Sequence, residues 1–469
     1  MTKLKSAKLA LSLIEEYLNT KAPVSNRIPP QDLEKTFDTT LPEIGKSDAE
    51  LQEKLTSYLF ECVKTKDPLF FNQLWSGFSE AGLTAEMIST ATNTSMYTFE
   101  VAPAATLIEK ELITNLLTMI GFDSGEGVFT TGGTASNISA LLAARNIRYP
   151  QGIKTGFGDQ GFVIYTSTAS HYSIVKAGNI IGIGTDNVIK VATDKNDKMI
   201  PCDLLNCVQS SIAEGKTPLA VVATAGTTVA GTYDPISEIS DICEEHDIWL
   251  HVDGAWGGTA MFHPDHKYKL DGLDRANSYT WDAHKMLGLP LVCSTLFMKE
   301  KGHLKAAHPH GTGDDYLFHD EAKAYDLGHN SIQCGRRFDS LKLWLLWQMK
   351  GLKGIQDMVA HCFDMAEYFA QNVAALEGFE IYSTPEAPAV CFRYVPEFPN
   401  VNIDDLNIAL RNALIKNGEV LINYGRVNGD IVLRIVTVNP DLQTTHLDTL
   451  LHHLERCAGA LDVKASIAA

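Results

Sequence analysis

The chain has 469 residues, 45% hydrophobic and 20% charged, the balance of a soluble globular protein with room for a large core; no apolar run approaches the roughly 18 residues of a membrane span. Its 57 acidic and 39 basic residues give a formal net charge of −18. Such a surface on average repels nucleic acid and anionic membranes, so an anionic ligand must be drawn in by local positive groups. The nine cysteines are scattered without a CxxC pair, and Cys243 with His246 lacks a second pair at ligand spacing, which argues for reduced thiols in a cytoplasmic protein and against a metal site.

Residues 1–20 place Leu11, Ile14 and Leu18 beside Glu15 and Glu16, the spacing of an amphipathic helix in a mature protein rather than of a signal peptide. The helical texture continues to about residue 95, broken by a polar, proline-bearing connection over 22–46. From residue 96 the pattern changes. A helix over 107–120 leads to an apolar strand at 128–130, a Gly132-Gly133 turn and a second helix through 141–145. Short apolar runs at 161–165, 219–224, 248–252 and 291–298 then alternate with amphipathic stretches such as 236–245. That alternation predicts an α/β fold with crossover connections and a mostly parallel, buried sheet. Ligands of such sheets bind at the carboxyl ends of the strands. Residues 306–330 are rich in His, Gly and Asp, lack periodicity and are long for a plain connection, as functional loops are. A helix over 355–376, strands at 390–394 and 431–436 and a last helix over 444–458 read as a smaller α+β unit. The expected division is therefore 1–95 for an N-terminal helical segment, 96–353 for a large ligand-binding domain and 354–469 for a small C-terminal domain.

Two stretches carry the chemistry. Trp281-Asp282-Ala283-His284-Lys285 puts a lysine directly behind a histidine, and His251-Val252-Asp253 ends an apolar run in an aspartate. These are the groups needed to hold pyridoxal 5′-phosphate: the Lys285 amine joins the cofactor aldehyde, and Asp253 keeps the pyridine nitrogen protonated so that the ring withdraws electrons. Thr131-Gly132-Gly133-Thr134-Ala135-Ser136-Asn137 supplies glycines for close approach and opens a helix, which taken alone reads equally as a cradle for the phosphate and as a plain loop. Gly182-x-Gly184 lacks the third glycine of a dinucleotide fingerprint. Trp256 and Trp281 read as packing residues.

Together with Asn72-Gln73-Leu74, Phe99-Glu100-Val101-Ala102-Pro103, Ser170-His171-Tyr172-Ser173, Ala223-Thr224-Ala225-Gly226-Thr227-Thr228 and Gln333-Cys334-Gly335-Arg336, these motifs resemble the group II PLP-dependent decarboxylases. The similarity is greatest to the glutamate and cysteine sulfinate decarboxylase branch and runs from about residue 50 onward. It implies the PLP-dependent transferase fold type I and an amino-acid decarboxylase. Residue by residue, it implies Lys285 as the cofactor lysine, Asp253 on the ring nitrogen, and His171 stacked on the ring, orienting the reacting carboxylate. Ala135, Ser136 and His284 would hold the phosphate, with Thr224 near the ring. Tyr325 would be the loop tyrosine that delivers a proton to the substrate carbon, and Arg434 the arginine on the substrate α-carboxylate. The family is dimeric, with the N-terminal segment at the contact and the loop of one subunit reaching its neighbour's site, so a homodimer is expected. Without the resemblance, His171 reads equally as a buried structural histidine, Arg434 as a strand-end ion pair and Tyr325 as a loop aromatic.

Two positions depart from the family pattern. Gly254 stands where an alanine usually follows the aspartate, which would loosen the seat of the ring, and Asp282 adds a carboxylate near Lys285 that would either raise the lysine's pKa or face away. Trp75, Ser95 and Tyr97 resemble the cysteine sulfinate type. Bulk at Trp75 shortens the pocket against the extra methylene of glutamate, a discrimination of about 1–3 kcal/mol. The expected substrate is a three-carbon acidic amino acid bound through Gln73 and its neighbours: cysteine sulfinate, aspartate or cysteate, giving hypotaurine, β-alanine or taurine. The alternatives are glutamate decarboxylation to γ-aminobutyrate and, from another class, a catalytically silent PLP-fold partner protein.

Overall fold

The computed structural model describes residues 5–310, 316–319, 324–397 and 401–468, with side chains from residue 6 to residue 461 of these. The expected loop over 306–330 therefore lies partly outside the described residues. The N-terminal segment forms α1 (Lys5–Asn19), α2 (Pro30–Thr36), α3 (Asp48–Glu61) and α4 (Glu80–Thr92). The second of these lies within the stretch read as a connection, and it starts on Pro30, whose missing N–H costs nothing in a first turn. Among the described residues no helix is long and apolar enough to cross a membrane.

Next in the chain come α5 (Pro103–Ile120), β1 (Glu126–Thr130), α6 (Gly133–Arg148), α7 (Gly152–Thr155), β2 (Phe162–Ser167), α8 (Ser173–Ile180) and β3 (Val188–Val191). They continue as α9 (Pro201–Ala213), β4 (Thr217–Thr224), α10 (Ile236–Glu245), β5 (Trp249–Gly254), β6 (Ser278–Asp282), β7 (Ser294–Met298) and α11 (His303–Ala307). Seven strands make one sheet in the order β1-β7-β6-β5-β4-β2-β3. Only β7 runs antiparallel to its neighbours. β2 is buried throughout, as is the apolar part of β4, because helices cover both faces. This is the mostly parallel α/β sheet that the alternating runs imply.

Two of its strands escape a hydrophobicity reading. β3 has only four residues, and β6 is Ser-Tyr-Thr-Trp-Asp, in which the buried Ser278 and Thr280 hydroxyls meet His251 in the core.

The chain finishes with α12 (Ser340–Val373), β8 (Phe379–Ile381), β9 (Ala389–Tyr394), α13 (Ile403–Ile415), β10 (Asn423–Val427), β11 (Asp430–Val436) and α14 (Thr444–Ala468). The helix α12 starts earlier than its periodicity suggests and is interrupted at Gly351, whose φ of 64° breaks the α conformation. Ahead of that break Leu343 and Leu346 are buried in the main core with Trp344, Leu345 and Trp347 packed on it, and Leu341 is buried in a neighbouring cluster, so no polar stripe betrays a helix. A second sheet, β10-β11-β9-β8, is antiparallel and packs its own core around Phe369, Phe392, Leu433 and Leu450. The helix α13 covers this sheet. Asn402 caps it, its side-chain oxygen accepting from Asp404 N and Asp405 N. Losing such a cap costs about 1 kcal/mol, so Asn402→Ala is expected to lower the midpoint of chemical denaturation by that much without changing the catalytic constants.

Candidate active site

Strand direction gathers the functional residues at one end of the large sheet. In register, Thr224 of β4 pairs with Asp253 of β5, and Asp253 pairs with Thr280 of β6. Lys285 follows in the turn after β6, where its N–H donates to Asp282 O at 3.2 Å. At the same end β1 turns through Gly132 into α6, and His171 lies between β2 and α8. These ends enclose a cavity of about 540 Å³ whose walls include Thr131 to Thr134, His171, Thr224, Asp253, His284 and Lys285.

Charge in the cavity is arranged by burial. Asp253 is 5% exposed; its Oδ2 accepts from Asn137 Nδ2 at 2.7 Å and its Oδ1 from Ala255 N at 3.1 Å. Asp282 faces Lys285, with Nζ 3.3 Å from Oδ2, and His284 Nε2 stands 3.7 Å from the same oxygen. The possibility that this carboxylate faces away is thereby excluded. His284 Nδ1 accepts from Cys293 N at 3.1 Å, and burial holds the imidazole below the usual histidine range. His171 is held low as well, first by burial and then by the charge of Lys285, against the opposing pull of Asp253. Its ring leans on Tyr172 at 4.1 Å, and its Nδ1 accepts from Ser173 N at 3.3 Å. At neutral pH such a ring is uncharged and free to lie flat on an aromatic system.

Two glycines show how closely the backbone is fitted. A Cβ at Gly133 would stand 2.9 Å from Asp282 Oδ2 and 3.1 Å from Ala255 Cβ, so only glycine lets the start of α6 approach this end of the sheet. A Cβ at Gly254 would meet Tyr279 Cε2 at 2.4 Å. The missing methyl is replaced by the Tyr279 ring and Gly254 does not line the cavity, so the expectation of a loosened ring seat is corrected.

Gln73, Trp75 and Arg434 also line the cavity. Arg434 is buried, donating from Nη1 to Thr228 O at 2.6 Å and from Nη2 to Asn72 O at 2.9 Å. Burial lowers its pKa from the ordinary guanidinium value. Asn423 and Tyr424 complete this wall and were not singled out in the sequence. Their strand pairs Asn423 with Arg434 and turns back at Asn428-Gly429, both at positive φ. An Asn-Gly dipeptide between two strands is the hairpin signal that could have found them.

Not every expected residue reaches the cavity of its own chain. Ser136 is fully buried with its hydroxyl 2.7 Å from Thr130 Oγ1, and the N–H groups of Ala135 and Ser136 donate to Gly132 O. Neither residue lines the cavity, whereas Gly133, Thr134 and Asn137 do. Ser95, Tyr97 and Tyr325 are elsewhere, in one cluster. Ser95 Oγ donates to Cys334 O at 3.3 Å, Tyr97 packs on Phe318 at 5.2 Å, and Tyr325 packs on Phe99 at 5.1 Å with Lys110 Nζ 4.6 Å above its ring. Trp256 is buried at the cavity wall, and Trp281 is a core residue whose indole N–H donates to Thr259 Oγ1 at 2.9 Å.

The pyridoxal-dependent decarboxylase conserved domain matches residues 30–395. The chain belongs to the pyridoxal-dependent decarboxylases. Human cysteine sulfinic acid decarboxylase is 36% identical over 463 residues, covering 95% of this chain and 94% of the human one. The mouse acidic amino acid decarboxylase GADL1 is 34% identical, covering 94% and 84% respectively. The crystal structure of mouse CSAD superimposes with a TM-score of 0.93 at 34% identity over 98% of this chain and 99% of that one. The decarboxylase has the PLP-dependent type I fold, and its cofactor is pyridoxal phosphate. The cavity suits that group by its own chemistry. Beside the amine of Lys285 and the carboxylate of Asp253, the buried atoms Thr224 Oγ1, Trp256 Nε1, Asp282 Oδ1 and Arg434 Nε have no hydrogen-bond partner among the described residues. Buried polar atoms left open at a cavity wall are what a polar occupant satisfies.

Proposed function

We propose that this decarboxylase removes the α-carboxylate of a three-carbon acidic L-amino acid, cysteine sulfinate, aspartate or cysteate, and works as a cytoplasmic homodimer. The observation that carries the substrate assignment is Trp75, an indole beside Gln73 and Arg434 in the cavity wall, in a chain similar to cysteine sulfinic acid decarboxylases along nearly its whole length. When bound, pyridoxal phosphate supplies an aldehyde for the substrate amine and a cationic ring that accepts the electron pair left at Cα as CO₂ departs.

The chain's own residues do the rest. Lys285 would present its amine to the aldehyde and Asp253 would face the ring nitrogen. His171, uncharged, covers the ring face and orients the departing carboxylate. The glycine turn and first turn of α6, shaped from within by Ala135 and Ser136, would hold the phosphate together with His284, and Thr224 would lie beside the ring. Arg434, pinned by two carbonyls, carries a fixed positive charge for the substrate's α-carboxylate, while Gln73 and Trp75 set the length of the pocket. Ser95, Tyr97 and Tyr325 complete the partner subunit's cavity, Tyr325 holding the proton that Cα receives. That assignment is supported by their clustering away from their own cavity: Gly328 N donates to Tyr97 O at 2.8 Å and Phe99 N to Asp326 Oδ1 at 2.8 Å. Exposed apolar side chains of the N-terminal segment, Leu41, Ile44, Tyr58 and Phe60 among them, are further support for a subunit contact there. We assign residues 1–95 to this contact, 96–353 to the cofactor domain and 354–469 to the small domain.

The test is CO₂ release from purified enzyme across aspartate, cysteine sulfinate, cysteate and glutamate. The three-carbon substrates are expected to give the higher kcat/KM, and a clear preference for glutamate refutes the assignment. Trp75→Gly is expected to shift the ratio toward glutamate by about tenfold or more, the worth of one methylene in a fitted pocket.

A further inference from the structure

Asp253 is the end of a buried chain of hydrogen bonds that the known chemistry does not use. On β5 the alternating residues Trp249, His251 and Asp253 share one face, and Asn137 of α6 packs over it. Trp249 Nε1 donates to Ser278 Oγ at 2.8 Å, Ser278 Oγ lies 2.8 Å from His251 Nδ1, His251 Nε2 lies 3.0 Å from Asn137 Oδ1, and Asn137 Nδ2 donates to Asp253 Oδ2 at 2.7 Å. Thr280 Oγ1 stands 3.4 Å from His251 Nε2, and the second amide hydrogen of Asn137 goes to Ser173 Oγ at 3.0 Å.

The carboxylate end fixes the direction of the bonds from Asp253 back to His251. An indole N–H can only donate, so Ser278 Oγ accepts it, and the same hydroxyl is free to donate to a bare Nδ1. At the far end an ionised carboxylate can only accept, so the amide nitrogen of Asn137 faces Asp253 and its oxygen faces His251. Nε2 must then carry the hydrogen. A neutral imidazole with Nδ1 bare and Nε2 protonated satisfies both ends. Full burial keeps the ring in that state, holding His251 at a pKa of about 4 despite the nearby charge of Asp253. Reversing the amide would set its oxygen against a carboxylate oxygen.

We propose that Asn137 and His251 are positioning residues for the reaction: the chain of donors ending on Asp253 Oδ2 fixes that carboxylate's orientation toward the ring nitrogen of the cofactor. The inference rests on the role given to Asp253 above. With Oδ2 held by Asn137 and Oδ1 by Ala255 N, the carboxylate cannot rotate, and each donor upstream polarises the next.

Isosteres separate this from a packing role. His251→Gln can place an amide N–H where Nε2–H stands; His251→Asn can place one only near Nδ1. The glutamine variant is expected to keep nearly wild-type kcat and cofactor affinity. The asparagine variant and Asn137→Leu are expected to lose about tenfold or more in both, with KM little changed, because a hydrogen bond to a charged group is removed. Cofactor affinity is read by titrating the cofactor-free protein with pyridoxal phosphate and following fluorescence quenching, and melting temperatures of the same cofactor-free samples report folding. Equal behaviour of the glutamine and asparagine variants, a loss carried by KM, or an Asn137→Leu enzyme like wild type overturns the proposal. Should Asn137→Leu fail to fold, the His251 pair decides alone. A wild-type protein that does not take up pyridoxal phosphate would instead overturn the reading of the site.

Discussion

Replacing Lys285 with alanine is expected to reduce CO₂ release by at least about 10⁴-fold, the scale seen when the group making the covalent bond is deleted, and to remove the visible absorption of the bound cofactor. A second effect follows from its neighbour. The side chain of Asp282 is 3% exposed and its charge is opposed by Lys285 at 3.3 Å, while His284 at 3.7 Å is held neutral by burial. Removing the lysine leaves a buried carboxylate without a counter-charge, which is destabilising beyond the loss of the contact itself. The single variant should therefore melt below wild type. Lys285→Ala with Asp282→Asn should regain that stability while staying inactive. An alanine variant that keeps both activity and colour would remove Lys285 from the mechanism.

The largest stability effect is expected away from the cavity, at Glu109. Its carboxylate receives Arg336 Nη1 at 2.7 and 2.8 Å and Ser340 Oγ at 3.0 Å; the Arg336 and Glu109 side chains are 3% and 1% exposed. Arg336 Nη2 also donates to Met96 O at 3.0 Å, so one ion pair ties α5, the start of α12 and the turn that carries Ser95 and Tyr97. Breaking a buried pair from one side costs about 3–5 kcal/mol, whereas replacing both partners with apolar groups of similar volume is close to neutral. Glu109→Ala is expected to lose that much in chemical denaturation, and Glu109→Leu with Arg336→Met to recover most of it. If the double variant is as unstable as the single one, the pair matters for its geometry and not for its charge. Because Ser95, Tyr97 and Tyr325 are placed by the same segment, Glu109→Ala should also lower kcat/KM under conditions where it stays folded.

The α/β architecture was legible because the buried strands are apolar on both faces and are spaced by helical periodicity; the carboxyl-end site followed from strand direction. Lys285, Asp253, His284, His171, Gln73, Trp75 and Arg434 do converge on one cavity. What the linear pattern hid is where polarity is buried for a structural reason. Ser278 and Thr280 disguised β6 by serving His251, and the fully buried His251 was noticed only as a neighbour of Asp253. Asn137 stood inside a quoted motif without a role, since nothing in one sequence tells an amide that ends on a carboxylate from one facing water. Gly254 looked like a deficit at the ring until Tyr279 was found filling its place. Asn423 and Tyr424 lie on a short strand with alternating exposure, where the hairpin turn is a better guide than hydrophobicity.

The account depends on a covalent link between the Lys285 amine and pyridoxal phosphate. Borohydride reduction of the purified holoenzyme, followed by digestion and mass spectrometry, reads that link directly. The pyridoxyl group is expected on the peptide that contains Asp282-Ala283-His284-Lys285, at the lysine. A reduced protein carrying the group on a different side chain, or carrying none while the enzyme still releases CO₂, would contradict it.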